Sequence, residues 1–296
     1  MRWTPGGESQ DIEDRRDDSG GGGGGGFNFG GIHIGIGGFI LLLVLSLVFK
    51  RNFLSLAGIG GSFGPATQTS QPYSAANQAG NQARDAQEKP LVEFVSFVLD
   101  DTQQTWTRIL SAQGIPYRHA KLVLFRDSID SACGMAQSAT GPFYCPGDEK
   151  VYIDLGFYDE LAHRFGAPGQ FAQAYVLAHE IGHHIQKLTG IEEKVHAAQE
   201  QNPGAANRLS VGLELQADCF AGVWGYTTAQ RNILEPGEVK GGLDAAAAVG
   251  DDRLQRMATG HVNPETFTHG SSQQRMDWFQ KGFTTGDMKA CNTFAE

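Results

Sequence analysis

The chain has 296 residues, four cysteines and a formal net charge of −10 at neutral pH. The negative charge argues against nucleic acid or an anionic lipid surface as a partner, because both are bound by basic patches. Four cysteines without a Cys-x-x-Cys pair exclude a disulfide-dense scaffold and a zinc finger.

The first 49 residues divide into two segments of different composition. Residues 1–31 are charged and then glycine-rich, with an unbroken run from Gly20 to Gly26, which predicts a disordered tail. Residues 32–49 carry no charge and are followed by Lys50 and Arg51. A stretch of this length is just sufficient to span a bilayer, so we expect one transmembrane anchor. A cleaved signal peptide is the alternative, although the polar segment before the apolar run is unusually long for one.

A flexible linker and one folded domain are predicted after the anchor. Residues 50–90 are rich in Gly, Ser, Gln, Asn and Ala, the composition of a tether. Residues 91–296 have apolar content for a single core. Within them, Leu91 to Leu110 has helical periodicity, and Lys121 to Arg126 is typical of a strand.

A hairpin is predicted next, because two apolar runs flank a turn sequence. Phe143 to Cys145 and Lys150 to Leu155 lie on either side of Pro146-Gly147-Asp148. The strands precede a long helical segment and further helices follow it. We therefore predict an α+β fold.

The pattern His-Glu-x-x-His is written by Ala178-His179-Glu180-Ile181-Gly182-His183. Apolar residues recur at spacings of three and four through this stretch, which indicates a helix. On a helix, His179 and His183 lie one turn apart and can bind one zinc ion. Glu180 lies about 100° further round and can reach a water on the metal, where a general base belongs. His184 points away from that face and is not expected to be a ligand.

A third ligand is expected from the segment Val211 to Gly225, which is apolar apart from Glu214, Gln216 and Asp218. A buried carboxylate needs a cation or a strong donor. Zinc meets that need for Glu214, and the free ring N–H of a ligand histidine meets it for Asp218. Two acids on a solvated helix face remain the alternative. Weaker candidates for the third ligand lie in the polar stretch before this segment: Glu192, Glu193 and Glu200.

These motifs resemble the gluzincin branch of the zincin metallopeptidases, in which His-Glu-x-x-His is followed on a second helix by Glu-x-x-x-Asp. In this chain the two motifs are HEIGH and ELQAD. The whole chain is similar to the predicted neutral zinc metallopeptidases of bacteria, which are membrane-anchored with a glycine-rich start. The resemblance implies a zincin fold with one Zn²⁺ per chain, Glu214 as third ligand and Asp218 as partner of a ligand histidine.

The segment from Thr268 to Arg275 resembles the His-Pro-x-x-x-x-Arg element of membrane-bound gluzincins, with Gly270 in the proline's place. The resemblance implies that His269 donates to the developing oxyanion and that Arg275 assists or holds nearby acids. The alternative is a helix N-terminus capped by Ser271 or Ser272, with Arg275 paired on the surface.

Two disulfides are candidates among the four cysteines. Cys133 and Cys145 bracket a short loop that a bridge would close. Cys219 and Cys291 form the remaining pair, with Cys219 equally plausible as a buried thiol. Bridges form in oxidising compartments, so we expect the domain to face the periplasm or exterior of a bacterial inner membrane.

The sequence predicts a membrane-anchored zinc endopeptidase that acts on a peptide or protein substrate, with Glu180 as general base. A hydrolase of cell-wall amides fits the same chemistry. The alternative from another class is a non-catalytic, zinc-stabilised adaptor that binds peptides at the cell envelope. Glu180 favours the enzyme, because an adaptor does not need a base beside its metal.

Overall fold

The computed structural model of the chain describes residues 1–18, 28–29, 32–33, 75–138, 141–235 and 237–294, with side chains from residue 82 onward and in the first 18 residues. Two compact units are present, one formed by Met1–Ser19 with Asn81–Glu296 and the other by Gly20–Gly80.

Strands and helices are numbered in chain order. The strands are β1 (Ile12–Asp14), β2 (Asn28–Phe29), β3 (Ile32–His33), β4 (Lys121–Phe125), β5 (Ser128–Ser131), β6 (Gly134–Gln137), β7 (Phe143–Cys145) and β8 (Lys150–Asp154). The α-helices are α1 (Ala75–Ser111), α2 (Gly156–His163), α3 (Gln170–Leu188), α4 (Ile191–Gln201), α5 (Ala206–Gln230), α6 (Val239–Ala248), α7 (Asp251–Thr259) and α8 (Ser272–Thr285). Short 3₁₀ turns lie at Pro203–Ala205, Pro264–Thr266 and Met288–Cys291.

The main sheet has the strand order β1-β4-β8-β7. β4 is parallel to both β1 and β8, whereas β7 is antiparallel to β8, with Cys145 opposite Lys150. β7 therefore lies at one edge of this sheet. β2 pairs with β3, and β5 pairs with β6, in two further antiparallel two-stranded sheets. Strands before α3 and helices after it confirm the α+β prediction, and the hairpin across Pro146-Gly147-Asp148 is confirmed as well.

The predicted disordered tail is wrong for its first part. Ile12 pairs with Leu122 when β1 joins the sheet, and Trp3 packs on Phe94 and Phe97 of α1. Glycine and charged residues dominate the average composition of residues 1–31, so the average does not show the few apolar residues that pack in the fold. The first 18 residues therefore belong to the folded unit.

The linker prediction also needs correction, because α1 begins at Ala75, inside the segment 50–90. Two arginines outside this helix bind its carboxylates at Asp85 and Glu88. Arg126 donates to Asp85 at 2.6 Å and to Glu88 at 2.7 Å, and Arg16 donates to Glu88 at 2.6 Å. α1 continues without interruption through Pro90 to Ser111.

The predicted membrane span at 32–49 lies outside the described residues, except for the two residues of β3. Among the residues that are described, no helix combines the length and apolarity needed to cross a bilayer. A single crossing at 32–49 would place β1 and β4 on opposite sides of the membrane, yet they pair in one sheet. A single-pass anchor between them is therefore not supported.

Helix α3 lies in the centre of the core, with most of its residues buried, and packs against α5 and α6. α5 also crosses α8 at very short distance. A Cβ at Gly282 of α8 would lie 1.9 Å from the carbonyl oxygen of Cys219 on α5, so only glycine permits this approach. The close crossing brings the N-terminal turns of α8 against the part of α5 that faces α3.

Both predicted disulfides are present. Cys133, in the β5–β6 hairpin, is bonded to Cys145 on β7 with a Cα–Cα distance of 5.8 Å. Cys219 on α5 is bonded to Cys291 in the last 3₁₀ turn with a Cα–Cα distance of 5.6 Å. The first bridge ties the edge strand to a hairpin, and the second ties the C-terminal segment to α5.

Candidate metal centre

Helices α3 and α5 bring the three predicted ligands together. His179 and His183 lie one turn apart on α3, and their rings are perpendicular with centroids 4.9 Å apart. Glu214 of α5 faces both rings. Its Oε2 atom is 3.2 Å from Nε2 of His179, and its Oε1 atom is 3.5 Å from Nε2 of His183.

The donor set fits a zinc ion. One ligand atom from each of His179, His183 and Glu214 can be chosen such that all three lie within 4.8 Å of one another. Among the described residues, no other group of three or more His, Cys, Asp and Glu side chains meets this geometry. These three residues are called the metal group below. Two imidazoles and one carboxylate are the ligands of catalytic zinc, which keeps a fourth position open.

Asp218 orients His179 from the side opposite Glu214. This carboxylate is completely buried and accepts a bond from Nδ1 of His179 at 2.9 Å. It also accepts from the hydroxyl of Tyr175 and from Nε and Nη2 of Arg275, at 2.8 and 2.9 Å for the latter two. Because Nδ1 is engaged by Asp218, Nε2 is the ring nitrogen that faces Glu214 and would be left to bind a metal.

The charges of this cluster shift the pKa values of its members. Burial alone would raise the pKa of Asp218, but Arg275 and His179 outweigh it and hold that pKa below the ordinary value. Burial would lower the pKa of His179, but Asp218 and Glu214 raise it to about 10. The pKa of Glu214 is lowered despite burial, chiefly by His183 and His179. The carboxylates are therefore ionised and suited to a cation.

Gln186 performs for His183 the role that Asp218 performs for His179. Its Oε1 atom lies 2.9 Å from Nδ1 of His183. Its Nε2 atom donates to the carbonyl of Leu213 at 2.7 Å, which fixes the orientation of the amide. The same amide nitrogen also donates to Gln216, which in turn donates to the carbonyl of Cys291 at 2.9 Å. Nδ1 of His183 must then be the donor, leaving Nε2 free for a metal.

The three residues of the metal group line a cleft of about 940 Å³, and Glu180 lines it as well. One part of its wall is apolar, with Phe157, Phe165, Val176, Leu254 and Met257. Phe143 and Tyr144 of the edge strand β7 form another part. Glu180 comes directly after His179 on α3. It lines the cleft but is only 8 % exposed, so little solvent surrounds its carboxylate.

His269 lines the same cleft from the loop before α8. That loop is held by Asp251, whose Oδ2 atom accepts from three successive backbone N–H groups, those of Thr268, His269 and Gly270, at 2.7, 2.6 and 3.0 Å. Gly270 has φ +89°, which proline cannot adopt, and proline has no N–H for the third bond. The departure from His-Pro thus has a structural reason.

The imidazole of His269 is half exposed and also contacts Asp251, with Nδ1 3.3 Å from Oδ1. This hydrogen bond, together with the charge of Glu214, raises the pKa of His269 against a smaller effect of burial. Burial would raise the pKa of Asp251, but the bonds from His269 lower it. A protonated ring has N–H donors on both nitrogens.

Helix α8 begins as the alternative prediction expected, with Ser271 as N-cap in a capping box with Gln274. Arg275, however, is buried against Asp218 and not paired on the surface. His184 lies outside the metal group. Its Nε2 atom faces the carbonyl of Arg118 at 2.7 Å, and its Nδ1 atom faces the hydroxyl of Tyr144 at 3.0 Å.

The weaker ligand candidates lie on α4, away from the metal group. Glu192 lines the cleft, whereas Glu193 and Glu200 are exposed. Two residues of the site were missed in the sequence, Tyr175 and Gln186. A signal for both exists, because Tyr175 is four residues before His179 and Gln186 is three after His183, which places each pair on one helix face.

The fold and the site define a class: an α+β domain in which two helices bring two histidines and a glutamate together on a cleft wall as a group that could hold a metal. The chain belongs to the family described as "Putative neutral zinc metallopeptidase", whose model matches residues 1–294. The family resemblance of the sequence is thereby confirmed over almost the full length.

Relatives from two bacterial groups are similar to this chain. "Uncharacterized protein YpfJ" of Escherichia coli K12 is 46% identical over 297 residues, which is 100% of this chain and 99% of that protein. "Uncharacterized protein Rv2575" of Mycobacterium tuberculosis H37Rv is 46% identical over 190 residues, which is 60% of this chain and 64% of that protein. No solved structure matches the chain.

Proposed function

We propose that this protein is a zinc-dependent peptidase of the gluzincin type, with one Zn²⁺ per chain held by His179, His183 and Glu214. The observation that carries the proposal is the convergence of these three side chains beside Glu180 in one large cleft. A zinc ion bound there supplies a Lewis acid that acidifies a water and polarises a carbonyl. The membership of a zinc metallopeptidase family agrees with this donor set.

Glu180 is the proposed general base. It follows His179 on α3 and lines the cleft with little exposure, so its carboxylate can take a proton from the attacking water and return it to the leaving amine. His269 is the proposed donor to the developing oxyanion. Its raised pKa favours the protonated ring, and Asp251 holds its loop on the cleft wall.

The substrate is proposed to lie along β7. This strand is antiparallel at the edge of the main sheet, and its residues Phe143 and Tyr144 line the cleft. An extended peptide can add to such an edge through backbone hydrogen bonds. The zincin-like arrangement of an edge strand above the metal helix supports cleavage within a chain, which makes an endopeptidase the preferred form of the activity.

The proposed compartment is oxidising, in the periplasm or outside the cell. Two disulfides use all four cysteines, and persistent disulfides are rare in reducing compartments. The bridges therefore support a location outside the reducing cytoplasm.

The test compares Glu180→Gln with Glu214→Gln. Purified full-length protein is assayed for zinc by metal analysis and for cleavage of a peptide library, with and without a chelator. Glu180→Gln should keep one zinc and lose turnover by about 10²-fold or more, because only the base is removed. Glu214→Gln should lose zinc. Cleavage that survives Glu180→Gln at full rate, or a peptide-binding protein that never cleaves, would contradict the proposal and favour the adaptor.

A further inference from the structure

Glu192 is a carboxylate of the cleft that the peptidase chemistry does not use. It lies in the first turn of α4, and its side chain is 13% exposed. It lines the cleft together with His196, Gln199 and Ser210, which form the polar part of the wall. The metal group does not include it.

The two oxygens of Glu192 differ in their surroundings. Oε1 lies 3.4 Å from Nε2 of His196, an exposed imidazole. Oε2 is buried and has no hydrogen-bond donor among the described residues. A buried carboxylate oxygen without a donor is costly, and it attracts any cation that enters the cleft.

A helix-terminus effect does not account for this placement. An acid in the first turn of α4 is favoured by the helix dipole, but Glu193 satisfies that preference from an exposed position, where it pairs with Lys187 at 3.1 Å. The dipole does not require Glu192 to be enclosed, because an exposed acid at the same helix end already meets the preference. Its enclosure on the cleft wall therefore calls for another explanation.

The charge of Glu192 also affects a side chain of the edge strand β7. The pKa of Tyr144 on β7 is raised by burial first, and then by the negative charges of Glu149 and Glu192. Glu192 and Tyr144 line the same cleft, so the carboxylate and the edge strand border one space in which a peptide could lie.

On these observations, and resting on the proposed peptidase function, we propose that Glu192 is a specificity-determining residue that binds a cationic group of the substrate. An ammonium or guanidinium group supplies the donors that Oε2 lacks and neutralises its charge. The cation is either a Lys or Arg side chain or the α-ammonium of a short peptide, and both satisfy the same carboxylate.

The experiment measures binding without cleavage. Immobilised zinc-loaded Glu180→Gln protein captures peptides from N-acetylated, C-amidated libraries in which one position is fixed as Lys, Arg, Gln, Glu or norleucine. A parallel library has free N-termini. Mass spectrometry quantifies the captured peptides. The same capture is repeated with Glu192→Gln added, and with Glu193→Gln added as the matched control.

We expect Lys and Arg, or free N-termini, to be enriched about 10- to 100-fold over neutral counterparts, the range of a charge-assisted hydrogen bond. Glu192→Gln should abolish the enrichment at unchanged zinc content and circular dichroism, whereas Glu193→Gln should retain it. Enrichment confined to the free-amine library identifies the α-ammonium as the cation. No basic enrichment, or enrichment that survives Glu192→Gln, would overturn the proposal.

The two proposals fail separately in this design. Cleavage of neutral peptides by the unmodified chain, with a basic preference that Glu192→Gln does not change, would retain the peptidase and remove the specificity role. Capture that depends on Glu192, in a protein that cleaves no peptide, would remove the peptidase and retain the cationic site.

Discussion

Arg275 donates two hydrogen bonds to Asp218, and both side chains are buried. Nε reaches Oδ2 at 2.8 Å and Nη2 reaches Oδ1 at 2.9 Å. The same Nη2 contacts the hydroxyl of Tyr175 at 3.2 Å. Helix α8 is therefore tied through α5 to the helix that carries His179 and His183, and Arg275 is the main group that lowers the pKa of Asp218.

Removing the Arg275 guanidinium should destabilise the fold. Arg275→Met keeps the aliphatic stem but leaves Asp218 buried without its cation, so we expect a loss of about 3–5 kcal/mol in the free energy of unfolding. Urea denaturation measures it. The exposed Arg256→Met serves as control and should unfold within about 0.5 kcal/mol of the unmodified protein. A small effect of Arg275→Met would show that the pair is not needed for stability.

Helical spacing was the most informative part of the sequence. His179 and His183 at i and i+4, and Glu214 and Asp218 at the same spacing, specify which side chains share a face, and the structure brings these four together. The α+β class and the β7–β8 hairpin follow from apolar runs and a turn sequence.

Other features depend on contacts that sequence patterns do not encode. The pairing of β1 with β4 joins segments more than 100 residues apart, and the composition of the glycine-rich stretch hides it. The ion pairs that join Asp85 and Glu88 of α1 to Arg16 and Arg126 likewise link residues far apart in the sequence. The spacing of Gln186 from His183 places the two on one helix face, but the contact of Gln186 with the carbonyl of Leu213 on α5 joins residues that no sequence pattern links.

Gln186 should govern how tightly zinc is held. Gln186→Leu removes the acceptor at Nδ1 of His183 and frees the ring to rotate or change tautomer, so we expect a 10- to 100-fold weaker zinc affinity. Competition with a chromogenic chelator measures the affinity. Gln173→Leu, on the same helix but partly exposed and away from the metal group, should leave it unchanged. Equal affinities for the Gln186 variant and the control would contradict an orienting role.

The bridge between Cys133 and Cys145 should be present in the protein isolated from the bacterium. It closes a short loop and fastens β7 to the β5–β6 hairpin, so replacing both residues with Ser should cost about 2–4 kcal/mol of stability. Mass spectrometry of non-reduced peptides detects the bridge directly. Recovery of Cys133 as a free thiol would remove support for an oxidising compartment.

The stability contributed by Asp251 should depend on pH. Because its pKa in the folded protein is below the ordinary value of about 3.9, the contribution is fully present above that value and is lost as the pH falls through the folded pKa. Asp251→Asn should therefore unfold about 1–3 kcal/mol more easily at pH 7, with the difference narrowing below about pH 4. Denaturant titrations across pH measure this, with the exposed Asp159→Asn as control. A difference that stays constant with pH would contradict the role of ionised Asp251.

His269 is expected to act on the transition state, because it lines the cleft but lies outside the metal group. His269→Ala should lower kcat and kcat/KM by similar factors of about 10²–10³, leave KM nearly constant and leave zinc content unchanged. Steady-state kinetics on a peptide substrate, paired with metal analysis, separates these quantities, and the exposed His261→Ala is the matched control. A loss mainly in KM would make His269 a substrate-binding residue. A fall in melting temperature with unchanged activity per folded molecule would instead assign it, with Asp251, to holding the loop before α8.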